Sequence, residues 1–263
     1  MPILRDLSDE KLAAAVERNQ VEWIRIQGRL PWVEFHDHGD VLRCFAGDTW
    51  PRNMVAQTRF TAETAHRRVG EILAQHLRKK AACNWVVGPE SCPSNLAQFL
   101  RAHGFSCRIH CAGMACDLSA LIERPPVSED VAIEQVDEAP AIHPLTTERR
   151  RDLHRGLTLA ARLKPRQVWY FAAKVNSESI GITTLQTGAG VAGIYGVEVL
   201  ARYRRKGVGT ALVYAAMEHG KKLGFSAAVL SATGKGEGVY RRLGFREICK
   251  LSFWKYGKMR QLD

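Results

Sequence analysis

A chain of 263 residues, 46% hydrophobic and 25% charged with a mean hydropathy of −0.21, has the make-up of a soluble globular protein long enough for two domains. No apolar run approaches the ~18 residues that a membrane span needs. The start, Met1-Pro2-Ile3-Leu4-Arg5-Asp6, lacks the charged-then-apolar layout of an export signal, so a cytoplasmic protein is expected. The formal charge of +11 is uneven: residues 1–124 carry 16 Lys/Arg against 14 Asp/Glu, residues 125–263 carry 22 against 13. The second half is therefore the one expected to meet an anion, either nucleic acid or a phosphate-rich small molecule.

In chain order, Leu7 to Gln27 has apolar residues at helical spacing (Leu12, Val16, Val21, Ile24), with Ser8-Asp9 available as a cap. Strand-like segments follow at Trp32–Phe35, Val41–Ala46 and near Asn53–Phe60. Thr61 to Lys80 reads as a second helix, opened by a capping threonine and closed by Arg78-Lys79-Lys80, which suits the negative end of the helix dipole. Then come a strand at Asn84–Val87, a Gly-Pro turn, a short helix at Asn95–His103 and a strand at Ser106–Asp117.

Glu123-Arg124-Pro125-Pro126 has the composition of a linker. Beyond it the pattern predicts a strand at Val131–Val136, a helix at Thr146–Leu163, and strands at Val168–Val175, Ile180–Thr187 and Val191–Val199. A helix at Gly209–Leu223, a strand at Ala227–Ser231, a short helix at Gly236–Leu243 and a strand at Glu247–Tyr256 complete it. The halves can be laid over each other. His66 to Leu73 falls against Arg205 to Leu212, and Leu100 to Phe105 against Tyr240 to Phe245, with Gly70–Gly104 and Gly209–Gly244 at near-equal separations. Such matching landmarks predict a duplicated domain.

Seven cysteines in a chain without an export signal read as reduced thiols. Cys107, His110, Cys111 and Cys116 invite a zinc reading, but the spacing is not CxxC. Strand alternation would put Cys107 and Cys111 on one face and His110 and Cys116 on the other. Buried thiols are the better reading, and no metal site is expected.

The chemistry concentrates in Val199-Leu200-Ala201-Arg202-Tyr203-Arg204-Arg205-Lys206-Gly207-Val208-Gly209-Thr210. A strand ends, a basic loop follows, and two glycines open an amphipathic helix. Backbone N–H groups at a helix N-terminus converge on one point, and the helix dipole adds partial positive charge. Glycine at 207 and 209 lets the backbone approach an anion without a Cβ in the way. Arg204, Arg205 and Lys206 add full charges, and a pyrophosphate would suit such a cradle.

Together with Tyr240-Arg241-Arg242-Leu243-Gly244-Phe245, this segment resembles the GNAT (Gcn5-related N-acetyltransferase) superfamily, whose pyrophosphate loop Arg204-x-x-Gly207-x-Gly209 is similar to. Ala201 stands where proline is common in the family, and Thr233 where many relatives have asparagine. The resemblance implies an α/β fold, a mixed, mostly antiparallel sheet flanked by helices, as two tandem copies. These are a degenerate one over residues 1–124 and a catalytic one over residues 125–263. It implies acetyl-CoA as co-substrate, entering between the strands Val191–Val199 and Ala227–Ser231. Backbone groups near Val197 and Val199 would hold the pantetheine and acetyl carbonyl, and residues 204–210, including Val208 and Thr210, the pyrophosphate. Tyr240 would contact the cofactor and act as the acid for the leaving thiolate, as a phenol can. Glu198, a carboxylate in an otherwise apolar strand, is the candidate base. A water chain is its competitor and Tyr195 an outside candidate.

In the first half Ala65, Arg68 and Leu100 stand opposite Arg204, Gly207 and Tyr240, so that half is expected to neither bind CoA nor catalyse. The expected acceptor is a primary amine of a small molecule, because a two-domain cleft encloses ligands readily. A peptide or protein amine, and a non-catalytic acyl-CoA-binding module, are the alternatives. Nucleic-acid binding through Arg149-Arg150-Arg151, Arg202–Lys206 and Arg241-Arg242 is disfavoured, since the middle cluster is already assigned to a pyrophosphate. No membrane partner is expected, and the chain should be a monomer or homodimer.

Overall fold

The computed structural model describes residues 2–47, 53–142, 148–234 and 236–256, without the side chains of residues 148–150 and 153. Thr146 and Thr147 of the expected fourth helix, Lys235, and the side chains of Arg149 and Arg150 therefore lie outside the described residues.

The first half runs α1 (Asp9–Gln27), β1 (Glu34–Asp37), β2 (Leu42–Phe45), β3 (Met54–Ala56), α2 (Ala62–Arg78), β4 (Asn84–Val87), α3 (Leu96–Ala102) and β5 (Phe105–Asp117). The second runs β6 (Ala132–Val136), α4 (Glu148–Arg162), β7 (Val168–Val175), β8 (Glu178–Gly188), β9 (Val191–Val199), a 3-10 turn at Ala201–Tyr203, α5 (Val208–Lys222), β10 (Ala227–Ala232), α6 (Glu237–Arg242) and β11 (Arg246–Tyr256). Residues 123–126 carry no helix or strand. Local chemistry explains the boundaries. Thr61 closes a reciprocal capping box with Thr64 at the start of α2. Ser8 precedes α1 without a side-chain cap.

Apart from β6, the second half repeats the element order of the first. Among the described residues eleven strands form one sheet, in the order β1-β2-β3-β4-β11-β5-β10-β9-β8-β7-β6. The two halves read inward from opposite edges, and their last strands are exchanged. β11 pairs with β4 of the first half, β5 pairs with β10 of the second, and β5 and β11 pair with each other at the centre, all antiparallel. Each half keeps one parallel pair, β3 with β4 and β9 with β10.

Of the two overlays drawn from sequence, one holds. Gly104 and Gly244 both follow a short helix in the left-handed conformation, at φ 82° and 88°. The other does not: Gly209 is the second residue of α5, whereas Gly70 lies about two turns inside α2. There the missing Cβ leaves room for the His103 ring, 3.0 Å away. Arg68 accordingly has no counterpart in the basic loop, and its guanidinium is tied to Asp40 at 2.7 and 3.0 Å.

One face of the sheet carries α5, whose Val208, Leu212, Val213 and Ala216 pack with Phe171, Ile180, Leu185 and Ile194. The opposite face carries α1, which spans both halves. Leu12 and Val16 pack with Cys111, Val191 and Val229, Val21 and Ile24 with Leu42 and Val86, and Ile26 with Ala160 and Tyr170.

All seven cysteines are free. Strand alternation does not separate Cys107 from His110, because β5 bulges at Arg108 opposite the Phe253–Trp254 step. Their Sγ and Nε2 atoms lie 3.4 Å apart. Among the described residues no three His, Cys, Asp or Glu side chains converge where they could hold a metal.

Candidate active site

β9 and β10 are paired at only two positions, Ala192 with Ala228 and Gly193 with Val229. Beyond Gly193 they part, so among the described residues one edge of Ile194–Val199 is free of sheet pairing. The other edge stays on β8 but slips by one residue between Thr184–Tyr195 and Ile182–Glu198, a bulge built on Gly196 at φ 62°. Val197 and Val199 fall on the α5 face; a Cβ on Gly209 would lie 3.9 and 3.7 Å from their side chains. Glu198 pairs with Ile182, which packs with α1 and α4, so it points to the other face, where it is exposed. Glu198 thus stands open to solvent beside the parted strands.

The basic loop bends the chain from β9 into α5. The Arg204 side chain folds back to donate Nε–H to the Val199 carbonyl at 2.9 Å. Arg205 takes a left-handed φ of 60°, and Gly207, the N-cap of α5, one of 78°. A Cβ at Gly207 would come within 3.0 Å of the Pro126 carbonyl, because the linker passes over it. Among the described residues the N–H groups of Val208, Gly209 and Thr210 have no acceptor, since the first intrahelical bond comes from Ala211. Arg204, Arg205 and Lys206 are exposed around them. The Lys206 and Arg202 cations lie 5.7 and 5.1 Å from the Tyr203 ring centre.

Tyr240, on α6, packs edge-on against Phe245 at 6.1 Å in the same apolar cluster as α5, Val197 and Val199. Its ring occupies the space a Cβ on Gly236 would need, 2.8 Å from Cε2. Burial raises its pKa, so the phenol is held in its proton-donating form. Tyr195, weighed as a base from sequence, points the opposite way. Its hydroxyl donates to Asn19 Oδ1 at 2.7 Å and burial raises its pKa, so it is an anchor on α1. Thr233 is exposed.

Residues 131–245 match the model of the acetyltransferase (GNAT) family. They form a GNAT-family domain. Solved structures share the fold over nearly the whole chain. A GCN5-related N-acetyltransferase from Kribbella flavida is 16% identical with a TM-score of 0.67, over 92% of this chain and 96% of that one. A tandem GNAT protein from the clavulanic acid biosynthesis pathway is 16% identical with a TM-score of 0.62, over 98% of each. A GCN5-related N-acetyltransferase from Sphaerobacter thermophilus is 16% identical with a TM-score of 0.60, over 93% and 91%. No curated protein gives a significant match.

Outside the matched GNAT domain, the same gap in the first half is filled by its own chain. Beyond the β3–β4 pair, Cys92 donates its N–H to the Thr58 carbonyl at 2.9 Å and accepts from Phe60 N–H at 3.2 Å. Trp85 Nε1 holds the Thr58 hydroxyl at 2.8 Å. The α2 N-terminus has no free glycine, and Thr61 Oγ1 already takes the Thr64 N–H. A cavity of about 280 Å³ lined by Glu17, Arg18, Arg25, Arg59, Glu90 and Ala189 lies by the opposite end of β9 from the parted strands. Arg18 pairs there with Glu90 at 2.5 and 2.7 Å, Arg59 approaches the same carboxylate at 3.6 Å, and Arg25 is held by Asp37 at 2.5 Å.

Two contributors escaped the sequence reading. The linker carbonyl over Gly207 carries no sequence signal. Asn19 does: it is the polar member of the helical stripe Leu12, Val16, Asn19, Trp23, Ile26.

Proposed function

We propose that the chain is an N-acetyltransferase that moves an acetyl group from acetyl-CoA to the primary amine of a small molecule. The observation that carries this reading is the parting of β9 from β10 beside the glycine-capped N-terminus of α5. Acetyl-CoA supplies the activated thioester. Val208, Gly209 and Thr210 offer the N–H groups of the first turn of α5, with Arg204, Arg205 and Lys206, to its pyrophosphate. The free edge near Val197 and Val199 offers backbone groups to the pantetheine and acetyl carbonyl. The amine approaches from the α1/α4 face, where Glu198 receives its proton directly or through water. Tyr240 gives its proton to the departing thiolate sulfur. A small acceptor is favoured because α1 and α4 both cover that face and narrow the approach.

Residues 125–263 would carry the reaction, and residues 1–124 would bind no CoA, a view supported by the backbone closure at Cys92 and the Thr61 cap. Calorimetric titration of acetyl-CoA tests both points. Submillimolar binding at one site per chain, lost in Gly207→Glu, is the expected result. No binding to the wild type would overturn the enzyme reading, and two sites per chain would overturn the silent first half.

A further inference from the structure

The point where β9 leaves β10 is held by a residue from the other half of the chain. Asn19 of α1 is fully buried. Its Nδ2 donates to the Gly188 carbonyl at 2.9 Å. Its backbone carbonyl accepts from Gln186 Nε2 at 2.7 Å, and its Oδ1 accepts the Tyr195 hydroxyl at 2.7 Å. The carboxamide occupies the space beside Gly193: a Cβ there would fall 2.0 Å from Asn19 Oδ1 and 2.6 Å from the Tyr195 ring. Gly193 is the last residue of β9 paired with β10. Tyr195 is the second residue past it and the last before the Gly196–Val197 bulge, with its carbonyl accepting from Thr183 Oγ1 at 3.3 Å.

From this placement we infer that Asn19 is a positioning residue for acyl transfer: through Tyr195 it fixes where β9 diverges, and so where the backbone of Val197–Val199 presents itself to the thioester. The inference rests on the acetyltransferase reading. It also gives the first half a task, since the catalytic strand is aligned by a side chain from residues 1–124. Removing the carboxamide would leave the buried Tyr195 hydroxyl without the acceptor it has in Asn19 Oδ1 and take from the Gly188 carbonyl its bond to Asn19 Nδ2. The strand would relax sideways, and misplacement of reacting groups by about 1 Å can cost about 10²-fold in rate. The pyrophosphate cradle on α5 lies on the other face and is untouched by the change.

The test is steady-state kinetics, melting temperature and calorimetric acetyl-CoA affinity on wild type, Tyr195→Phe, Asn19→Leu and the double variant. Tyr195→Phe keeps the ring and the bonds from Asn19 to Gly188 and Gln186, so it reports on the Tyr195 link alone even if Asn19→Leu fails to fold. The expected result is a loss of kcat of about tenfold or more in Tyr195→Phe, with acetyl-CoA affinity within about twofold of wild type. The double variant should lose no more kcat than Asn19→Leu. Wild-type kcat in Tyr195→Phe would overturn the inference, as would a loss of acetyl-CoA affinity in step with kcat. A wild type without turnover on any amine would instead overturn the acetyltransferase reading itself.

Discussion

Tyr240 is held by packing: its ring rests on Phe245 and fills the space beside Gly236, and neither contact needs the hydroxyl. Tyr240→Phe should therefore fold and melt as the wild type does while kcat drops by about 10²-fold, the lower range for a general acid. Burial raises the phenol pKa above the ordinary 10.0, and the acid works only while protonated. Its contribution to kcat should hold through neutral pH and fall away only above the usual tyrosine range; a loss already near neutrality would remove Tyr240 from the role. Glu17 offers a test of opposite chemistry. It is buried, accepting from the Glu90 N–H at 2.5 Å and the Ser91 hydroxyl at 2.9 Å, and burial raises its pKa above the 4.5 of an exposed glutamate. The native state then holds this proton more tightly than the unfolded chain. Stability should fall as pH climbs from the unfolded value through the raised one. Glu17→Gln should melt above the wild type at about pH 7.5 and converge with it at about pH 4, measured by thermal unfolding. At this scale the sequence was informative where one residue type serves one backbone need, as Gly207 does at φ 78°. It was silent on Arg205, whose left-handed φ of 60° is imposed by the loop and not by its side chain.

The elements were legible for the same reason in reverse. β4, β7 and β9 lie where alternation and composition placed them, because burial of one or both faces writes itself into local sequence. Strand order does not, and the exchange of β5 and β11 could not be read from either segment alone. In that exchange each half's parallel pair is bordered by the other half's last strand, so neither half has a complete sheet of its own. A cut between them should consequently leave one particle. A chain carrying an inserted protease site at the exposed Glu123–Arg124 step, cleaved after folding, is expected to elute as uncut protein does on size exclusion, with acetyl-CoA affinity unchanged. Its fragments should separate only in denaturant. Fragments that part under native conditions would show that the central β5–β11 pairing is not what joins the halves.

For the whole molecule the relevant asymmetry is charge. Of the formal +11, residues 125–263 hold the larger share, and part of it stands in Arg204, Arg205 and Lys206, exposed around the first-turn N–H groups of α5. Exposed charges act through solvent and are screened over about 8 Å at physiological ionic strength, whereas backbone N–H groups at a helix N-terminus bind by direct contact and depend less on salt. The two contributions can therefore be separated by ionic strength. Acetyl-CoA affinity should weaken as salt rises from about 0.05 to about 0.5 M, and Arg205→Ala should weaken it by about threefold at the low end and hardly at all at the high end. Gly207→Glu acts differently, placing a side chain and a negative charge on the left-handed cap itself, and its loss should persist at every salt concentration. An Arg205→Ala effect independent of salt would mean that this guanidinium makes a direct, shielded contact with the ligand. The basic loop would then be a formed part of the binding surface and not a diffuse attractive field around it.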